Sequence, residues 1–301
     1  MLWFIVILIA YFFLGIASLG DKVFLKGKQQ SPAIYTFYVG IMGGLVVFLI
    51  PFFGIDISSF QDLLYPALEG ILYAAALYSL YLALSRTEVS IAIPIIGALQ
   101  PIFVFFLTIV FYGFSELAVK DVIALAILIL GTFLISLEKG GSKINVKKMA
   151  IAIVPAFLFA LDMILTKQVF FNFDFWEGLI LMRIFTFLTV LFFLFSSKFR
   201  KELSARRKDK SKGKGLVFVF AQGAGGLGIL LQSYAISLVP TIYLAVLNAL
   251  KGVQYVFLLF ATMLVSYYFP KIIKEDFKRR ALIRKIISVI IISAGIALLM
   301  L

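Results

Sequence analysis

Long, continuously apolar runs dominate this chain of 301 residues, and each run has the length that crosses a lipid bilayer. A helix spanning a hydrocarbon core of about 30 Å needs roughly 20 mostly apolar residues. Ten stretches meet this requirement: Leu2–Leu19, Ala33–Phe53, Pro66–Leu84, Ser90–Tyr112, Val119–Leu137, Met149–Thr166, Glu177–Ser197, Gly215–Leu238, Thr241–Phe269 and Leu282–Leu301. The runs do not alternate apolar with polar residues, as barrel strands would. The sequence therefore predicts an all-α integral membrane protein with ten transmembrane helices.

Composition removes several classes of chemistry. The chain has no Cys and no His, so disulfides, thiolate nucleophiles, Ser-His-Asp catalysis and the commonest zinc sites are excluded. It has no phosphate-binding motif of the Gly-x-x-x-x-Gly-Lys-Ser/Thr type, which argues against an ATP-driven pump. The two longest connections, 198–214 and 270–281, are too short to bury a separate core. We therefore expect no enzymatic activity, no cofactor and no metal.

The distribution of basic residues predicts an orientation. Of the 28 Lys and Arg, 24 lie in or at the edges of connections that follow odd-numbered spans, whereas only Lys120 and Lys167 lie in or at the edges of those that follow even-numbered spans. Basic loops face the cytoplasm, so both termini are predicted on the non-cytoplasmic side of the plasma membrane. The basic run 198–214 is expected to contact anionic lipid headgroups. It has no aromatic residue after Phe199 for base stacking, so no nucleic-acid partner is predicted.

Weak internal similarity divides the chain into two halves, 1–140 and 141–301. The matches occur in the same order in both halves: Lys22 with Lys167, Glu69-Gly70 with Gln222-Gly223, Tyr81 with Tyr234, Ala98-Leu99 with Ala249-Leu250, and Gly131 with Gly295. Five helices per half is an odd number, so the second half would enter the membrane from the opposite side. This pattern predicts an inverted repeat, with a binding site near the midplane where the halves meet.

The segment Ala83–Leu137 resembles the EamA-type repeat of the drug/metabolite transporter superfamily. The resemblance rests on a small-residue turn, a span carrying Pro94 and Pro101, a Gly-Phe-Ser-Glu116 exit and a final span around Gly131. In the second half, Lys251-Gly252 and Pro270…Glu275 depart from the pattern. The resemblance implies ten helices around a central cavity that opens to one side at a time, and transport of small metabolites without ATP. It also implies cytoplasmic termini, whereas the charge count of this chain predicts the opposite.

Charged residues within the spans are the first candidates for a site, because each costs at least about 2.5–3.5 kcal/mol at the centre of a membrane helix. Lys251 and Arg183 are predicted to bind substrate, and Glu69, Asp162 and Asp21 are candidates to carry a coupling proton. The alternative for these groups is an internal ion pair, such as Lys251 with Glu69 or Asp162. Uncharged candidates for substrate binding are Asn248, Gln254, Tyr255, Gln222 and Gln100. Their spacing would also suit an interhelical hydrogen-bond seam.

The function that these features favour is secondary transport of a small metabolite, such as an amino acid or organic anion, by alternating access. Transport would be driven by coupled movement of protons or would proceed by exchange of one solute for another. The expected partners are a small-molecule substrate and the lipid bilayer, and a monomer is the simplest oligomeric state. A membrane-embedded lipid or headgroup enzyme and a non-transporting scaffold remain as alternatives.

Overall fold

The computed structural model describes residues 2–25, 31–57, 59–86, 89–113, 118–136, 146–207, 215–268 and 279–300. Within these ranges 94% of residues are helical and none is in a strand, so the all-helical prediction is confirmed. The α-helices are α1 (Leu2–Leu25), α2 (Pro32–Gly43), α3 (Ile50–Phe53), α4 (Leu64–Arg86), α5 (Val89–Tyr112), α6 (Val119–Ser136), α7 (Val146–Asn172), α8 (Phe175–Leu191), α9 (Ser197–Arg207), α10 (Gly215–Leu238), α11 (Leu244–Ala249), α12 (Gly252–Tyr268) and α13 (Arg279–Met300). Short 3₁₀ turns extend α2, α4, α8 and α11.

Seven segments of the described chain are long and apolar enough to cross a membrane: Leu2–Gly20, Pro32–Phe53, Phe60–Arg86, Ile95–Tyr112, Ala150–Asn172, Phe175–Phe195 and Thr241–Tyr268. They correspond to seven of the ten predicted spans. The other three predicted spans coincide with the helices α6, α10 and α13, which are not among these seven. The chain is thus a multi-pass helical membrane protein, and the number of ten crossings stays a prediction.

Two helix boundaries differ from those expected. Helix α7 continues to Asn172, six residues beyond the predicted end, so Asp162 lies well inside the helix rather than near its end. The basic segment after the seventh span begins with helix α9, where a connection was predicted. The Phe199 side chain anchors α9 because it packs edge-to-face on Phe37 of α2, with the ring centroids 5.2 Å apart. A basic helix held by one buried aromatic residue is typical of the membrane interface.

The predicted span Thr241–Phe269 is interrupted between α11 and α12, at Leu250 and Lys251. Side chains from neighbouring helices hydrogen-bond carbonyl groups at the end of α11. The Tyr11 hydroxyl donates to the Leu247 carbonyl oxygen at 2.9 Å, and the Thr132 hydroxyl donates to that of Ala249 at 3.3 Å. Broken helices are tolerated at membrane depth only where protein or water satisfies the freed backbone groups. These two contacts make the interruption compatible with a lipid environment.

Helix packing brings early and late helices of the chain together. Helix α1 lies along α10 and α12, α6 lies along α13, and α7 packs on both α4 and α5. Two glycines permit the close approach of α6 and α13. A Cβ atom on Gly131 would lie 2.6 Å from Ile292, and one on Gly295 would lie 2.9 Å from Leu128. Small residues are common where membrane helices pack closely.

Lys167 interacts with the C-terminal end of α10. Its ammonium group donates to the carbonyl oxygens of Ile236 and Ser237, at 3.1 and 2.9 Å. The last carbonyl groups of a helix have no partner within the helix and carry partial negative charge. Lys167 therefore caps α10 and is 5% exposed, although the sequence placed it in a connection between spans.

We expect Gly131→Ala to destabilise the protein by about 1–3 kcal/mol, as other overpacked core substitutions do. The added methyl group would overlap Ile292, part of which is backbone and cannot rotate away. The comparison is Gly226→Ala, because a Cβ atom there meets nothing within 4 Å. Thermal unfolding of both variants in one detergent measures the difference. Equal melting temperatures would contradict the close packing of α6 on α13.

Candidate functional site

A cavity of about 470 Å³ lies among α1, α2, α4, α8, α10 and α12. Its size falls within the range of small-molecule sites, about 300–1,000 Å³. Most of its walls are apolar, and its polar lining residues are Ser18, Tyr73, Tyr81, Arg183, Thr186, Gln222 and Gln254. Three predicted substrate-binding residues, Arg183, Gln222 and Gln254, therefore lie at one cavity. Among the described lining residues, only Arg183 is charged.

Arg183 is held in place by two contacts on its inner side. Its Nη2 atom donates to Oε1 of Glu69 at 3.1 Å, and its guanidinium group lies 4.3 Å from the ring centroid of Tyr73. Glu69 is completely buried, and Arg183 is 8% exposed. The pair joins α4 to α8. These helices approach closely because Gly70, the residue after Glu69, has no side chain: a Cβ atom there would lie 2.6 Å from Phe185 and Thr186.

Asp162 of α7 adds a second carboxylate to this ion pair. It interacts electrostatically with both Glu69 and Arg183, and Thr166, one turn further along α7, lies within hydrogen-bonding reach of Glu69. We call Glu69, Asp162 and Arg183 the charged cluster. The two coupling candidates that the structure places, Glu69 and Asp162, are thus brought together. The cluster contains one more acidic group than basic groups.

Several polar atoms around the cavity have no partner among the described residues. In the charged cluster these are Oε2 of Glu69, Oδ1 of Asp162 and Nε of Arg183. Buried polar atoms are nearly always hydrogen-bonded, so exceptions point to an absent ligand, water or ion. On the opposite wall, Nε2 of Gln254 donates to the Ser18 hydroxyl at 3.1 Å, whereas Oε1 of Gln254 is buried without a partner. Two residues of the cavity lining, Arg183 and Gln254, thus each have a buried polar atom without a partner among the described residues.

Glycines of α10 form one wall of the cavity. A Cβ atom added to Gly223 or Gly226 would meet nothing within 4 Å, whereas one on Gly228 would lie 2.7 Å from Leu14 of α1. Gly228 therefore permits close packing of α10 on α1. Gly223 and Gly226 instead leave open space at the cavity.

Lys251 and Gln100 form a second polar contact, and neither residue is among the described lining residues of the cavity. The Lys251 ammonium group donates to Oε1 of Gln100 at 3.4 Å and lies 6.0 Å from the ring centroid of Phe159. The predicted ion pair of Lys251 with Glu69 is not formed, since Glu69 pairs with Arg183. Asn248 donates to the Met163 sulfur atom at 3.4 Å. Neither Asn248, Tyr255 nor Gln100 is among the described lining residues.

One sequence candidate lies outside the described side chains, and four cavity residues were not predicted. Asp21 lies in α1, but its side chain is outside the described residues, and so is Glu116. The cavity residues Tyr73, Tyr81, Ser18 and Thr186 were not predicted. Tyr73 follows Glu69 by four residues, which places both on one face of α4, and this spacing was the only available signal. In a chain with 13 Tyr, that signal is weak.

Comparison with known proteins finds a family similarity in the first half of the chain. The profile of the EamA-like transporter family matches residues 1–137. This match agrees with the resemblance to the drug/metabolite transporter superfamily that the sequence of the first half carries. No curated protein matches the sequence significantly.

The fold is also found among solved structures. One solved crystal structure is similar over 98% of this chain and 96% of its own chain, with a TM-score of 0.66. The two sequences are 14% identical. At this identity the similarity shows that the fold is shared over nearly the whole length, including the part beyond residue 137.

We expect Glu69→Leu to destabilise the protein by about 1–3 kcal/mol, because buried Nη2 of Arg183 loses its hydrogen-bond partner while Asp162 still balances its charge. The double variant Glu69→Leu with Arg183→Met should recover most of this loss, since it removes both charges. Thermal unfolding of the wild type, the two single variants and the double variant gives the coupling energy. Asp174→Asn, an exposed acid at the start of α8, serves as the control. Additive effects of the two substitutions would contradict the ion pair.

Proposed function

We propose that this protein is a secondary transporter that carries a small metabolite across the plasma membrane by alternating access between two five-helix repeats, 1–140 and 141–301. The observation that carries the proposal is a difference between two equivalent glycines. Gly70 and Gly223 correspond in the sequence repeat, yet a Cβ atom on Gly70 would overlap α8, whereas one on Gly223 would face open space. The helix surface at Gly70 is therefore covered by α8, whereas the corresponding surface at Gly223 is not covered by a neighbouring helix.

Helix contacts support the two-repeat arrangement. If α1 corresponds to α7 and α4 to α10, the packing of α1 on α10 has its counterpart in the packing of α7 on α4, and both contacts are present. Likewise α5 packs on α7 as α12 packs on α1. Leu128 and Ile292 are separated by the same 164 residues as Gly131 and Gly295. Gly131 faces Ile292 and Gly295 faces Leu128, which is the reciprocity expected of a twofold relation.

The same correspondence accounts for the cavity. Helix α4 packs on α8 through Gly70 and the Arg183–Glu69 pair. The counterpart of this contact would be α10 on α2, but residues of both helices instead line the cavity. Alternating access would exchange the two arrangements: α10 would close on α2 through Gly223, and α4 would part from α8. This exchange gives the substrate access from opposite sides in turn.

The substrate is proposed to lie in the cavity between Arg183 and the amides of Gln222 and Gln254. Transport would be coupled to protons through Glu69 or Asp162, or would proceed by exchange. Lys251, Gln100, Asn248 and Tyr255 stay predictions as substrate ligands, and the discontinuous helix at Lys251 is typical of transporter sites. The protein would act without a cofactor and without catalysis, as a monomer in the bilayer with both termini on the non-cytoplasmic side and no nucleic-acid partner.

We expect Gly223→Val to abolish transport while the protein remains as stable as the wild type. The side chain has room in the described arrangement, but it would overlap α2 in the opposite one, as a side chain at Gly70 would overlap α8. A cost of about 1.4 kcal/mol on that arrangement already reduces its population tenfold. Uptake of labelled amino acids and organic anions into proteoliposomes measures transport, and thermal unfolding measures stability.

The control is Leu130→Phe, which enlarges an exposed residue of α6, a helix that contributes none of the described lining residues, and should leave uptake unchanged. Wild-type uptake by Gly223→Val would contradict the proposed closure of α10 on α2. If the wild type moves no solute of a broad panel above the level of empty vesicles, the transporter proposal is wrong.

A further inference from the structure

We propose that the cavity takes an organic anion at Arg183, and that one proton enters the Glu69–Asp162 pair with each anion. This inference rests on the proposed transport function and specifies the charge of the substrate and the stoichiometry of coupling. Its first support is the position of Arg183, the sole charged group among the described lining residues. A guanidinium group presents several N–H donors in a plane and binds carboxylate, sulfonate and phosphate groups in preference to other ligands.

Arg183 lines the cavity and is bonded to one carboxylate, which an anion could replace. Nη2 is occupied by Glu69, and the ring of Tyr73 covers the guanidinium group at 4.3 Å, but Nε has no partner among the described residues. The remaining walls are largely apolar and include Leu77, Leu179 and Ile229. They suit an anion with an apolar body better than a small inorganic ion. A cation would have to approach Arg183 from the cavity, where no described carboxylate lines the wall.

Charge balance then requires a proton. Two acidic groups and one guanidinium share a site surrounded by hydrocarbon, where an uncompensated charge is strongly disfavoured. One proton shared between Glu69 and Asp162 makes the empty cluster neutral, and it would supply a donor for the unpartnered Oε2 and Oδ1 atoms. An anion on Arg183 adds one negative charge. A second proton, taken from solvent, then protonates both carboxyl groups and restores neutrality.

The environment of the cluster is consistent with this balance. Arg183 of α8 and Tyr73 of α4 are the charged or titratable groups that interact with the two carboxyl groups in the described structure. Among the described residues of α2, α5 and α10, which also pack around α4 and α7, no charged side chain reaches the cluster. Lys251, the nearest other cation among the candidates, lies beside Phe159, one turn before Asp162 on α7, and bonds to Gln100.

The coupling follows from the ion pair itself. While Glu69 remains ionised and bound to Arg183, it holds α4 against α8. An anion that takes its place on Arg183 releases Glu69, which accepts the proton and no longer attracts Arg183. The contact that closes α4 on α8 is weakened only when both anion and proton are bound. Substrate binding and opening of the closed side are thereby linked through one side chain.

Benzenesulfonate tests the proposal because it stays ionised throughout the accessible pH range, so any proton taken up must bind to the protein. Titration calorimetry of the purified protein in two buffers of different ionisation enthalpy measures the number of protons. We expect benzenesulfonate to bind with uptake of one proton and with affinity that falls about tenfold per pH unit where uptake is complete. Benzyl alcohol and benzylamine, neutral and cationic probes of similar size, should bind at least tenfold more weakly.

Variants of the cluster sharpen the test. The double variant Glu69→Gln with Asp162→Asn should bind benzenesulfonate with no proton uptake, whereas each single variant retains one carboxyl group and should still take up one proton. Asp174→Asn should behave as the wild type does. Size-exclusion chromatography shows whether the double variant folds, and the wild-type proton number decides the proposal even if it does not.

Binding of benzenesulfonate to the wild type without proton uptake would overturn the coupling, and preferential binding of benzylamine would overturn the anion assignment. Undiminished proton uptake by a folded double variant would place the proton elsewhere. If none of the three probes binds while the proteoliposome panel shows flux of other solutes, the inference fails and the transporter proposal stands. Absence of any flux in that panel overturns both.

Discussion

The ion pair between Arg183 and Glu69 is the interaction on which the arrangement around the cavity depends. Both groups are removed from water in a protein whose outer surface is largely hydrocarbon-facing, so neither can be left without the other. Their contact requires α4 and α8 to lie within a few ångströms, and Gly70 makes that distance possible. The position of one wall of the cavity is therefore fixed by a charge requirement rather than by apolar packing alone.

Corresponding residues of the two proposed repeats have different surroundings. Gly70 is occluded by α8, and its counterpart Gly223 is open. Glu69 has a guanidinium partner, and its counterpart Gln222 is uncharged and lines the cavity. Two repeats of identical sequence would favour both closed sides equally. In the proposed mechanism, Gln in place of Glu would remove an ion pair from one side and would give the two arrangements different free energies.

The sequence was sufficient for the class of fold and for the list of charged candidates, and not for their pairing. Runs of apolar residues predict spans because the bilayer imposes their length, and three of the seven predicted substrate ligands lie at the cavity. Depth along a span pointed to Lys251 as the leading group, but depth does not say which face of a helix meets which neighbour. The pairing of Glu69 with Arg183 depends on a contact across 114 residues. The interruption at Lys251 likewise depends on Tyr11 and Thr132, which are distant in sequence.

The position of Lys251 suggests a different role from that of Arg183. Lys251 and Gln100 are counterparts in the repeat, offset by 151 residues as Ala98 is from Ala249, and they contact each other at 3.4 Å. Two equivalent residues can touch only near the axis that relates the repeats. The proposed exchange of conformations would leave such a contact in place, whereas it would break a contact like Arg183–Glu69. In that proposal, a polar contact on the axis would hold the repeats together, and an ion pair away from the axis would distinguish the two arrangements.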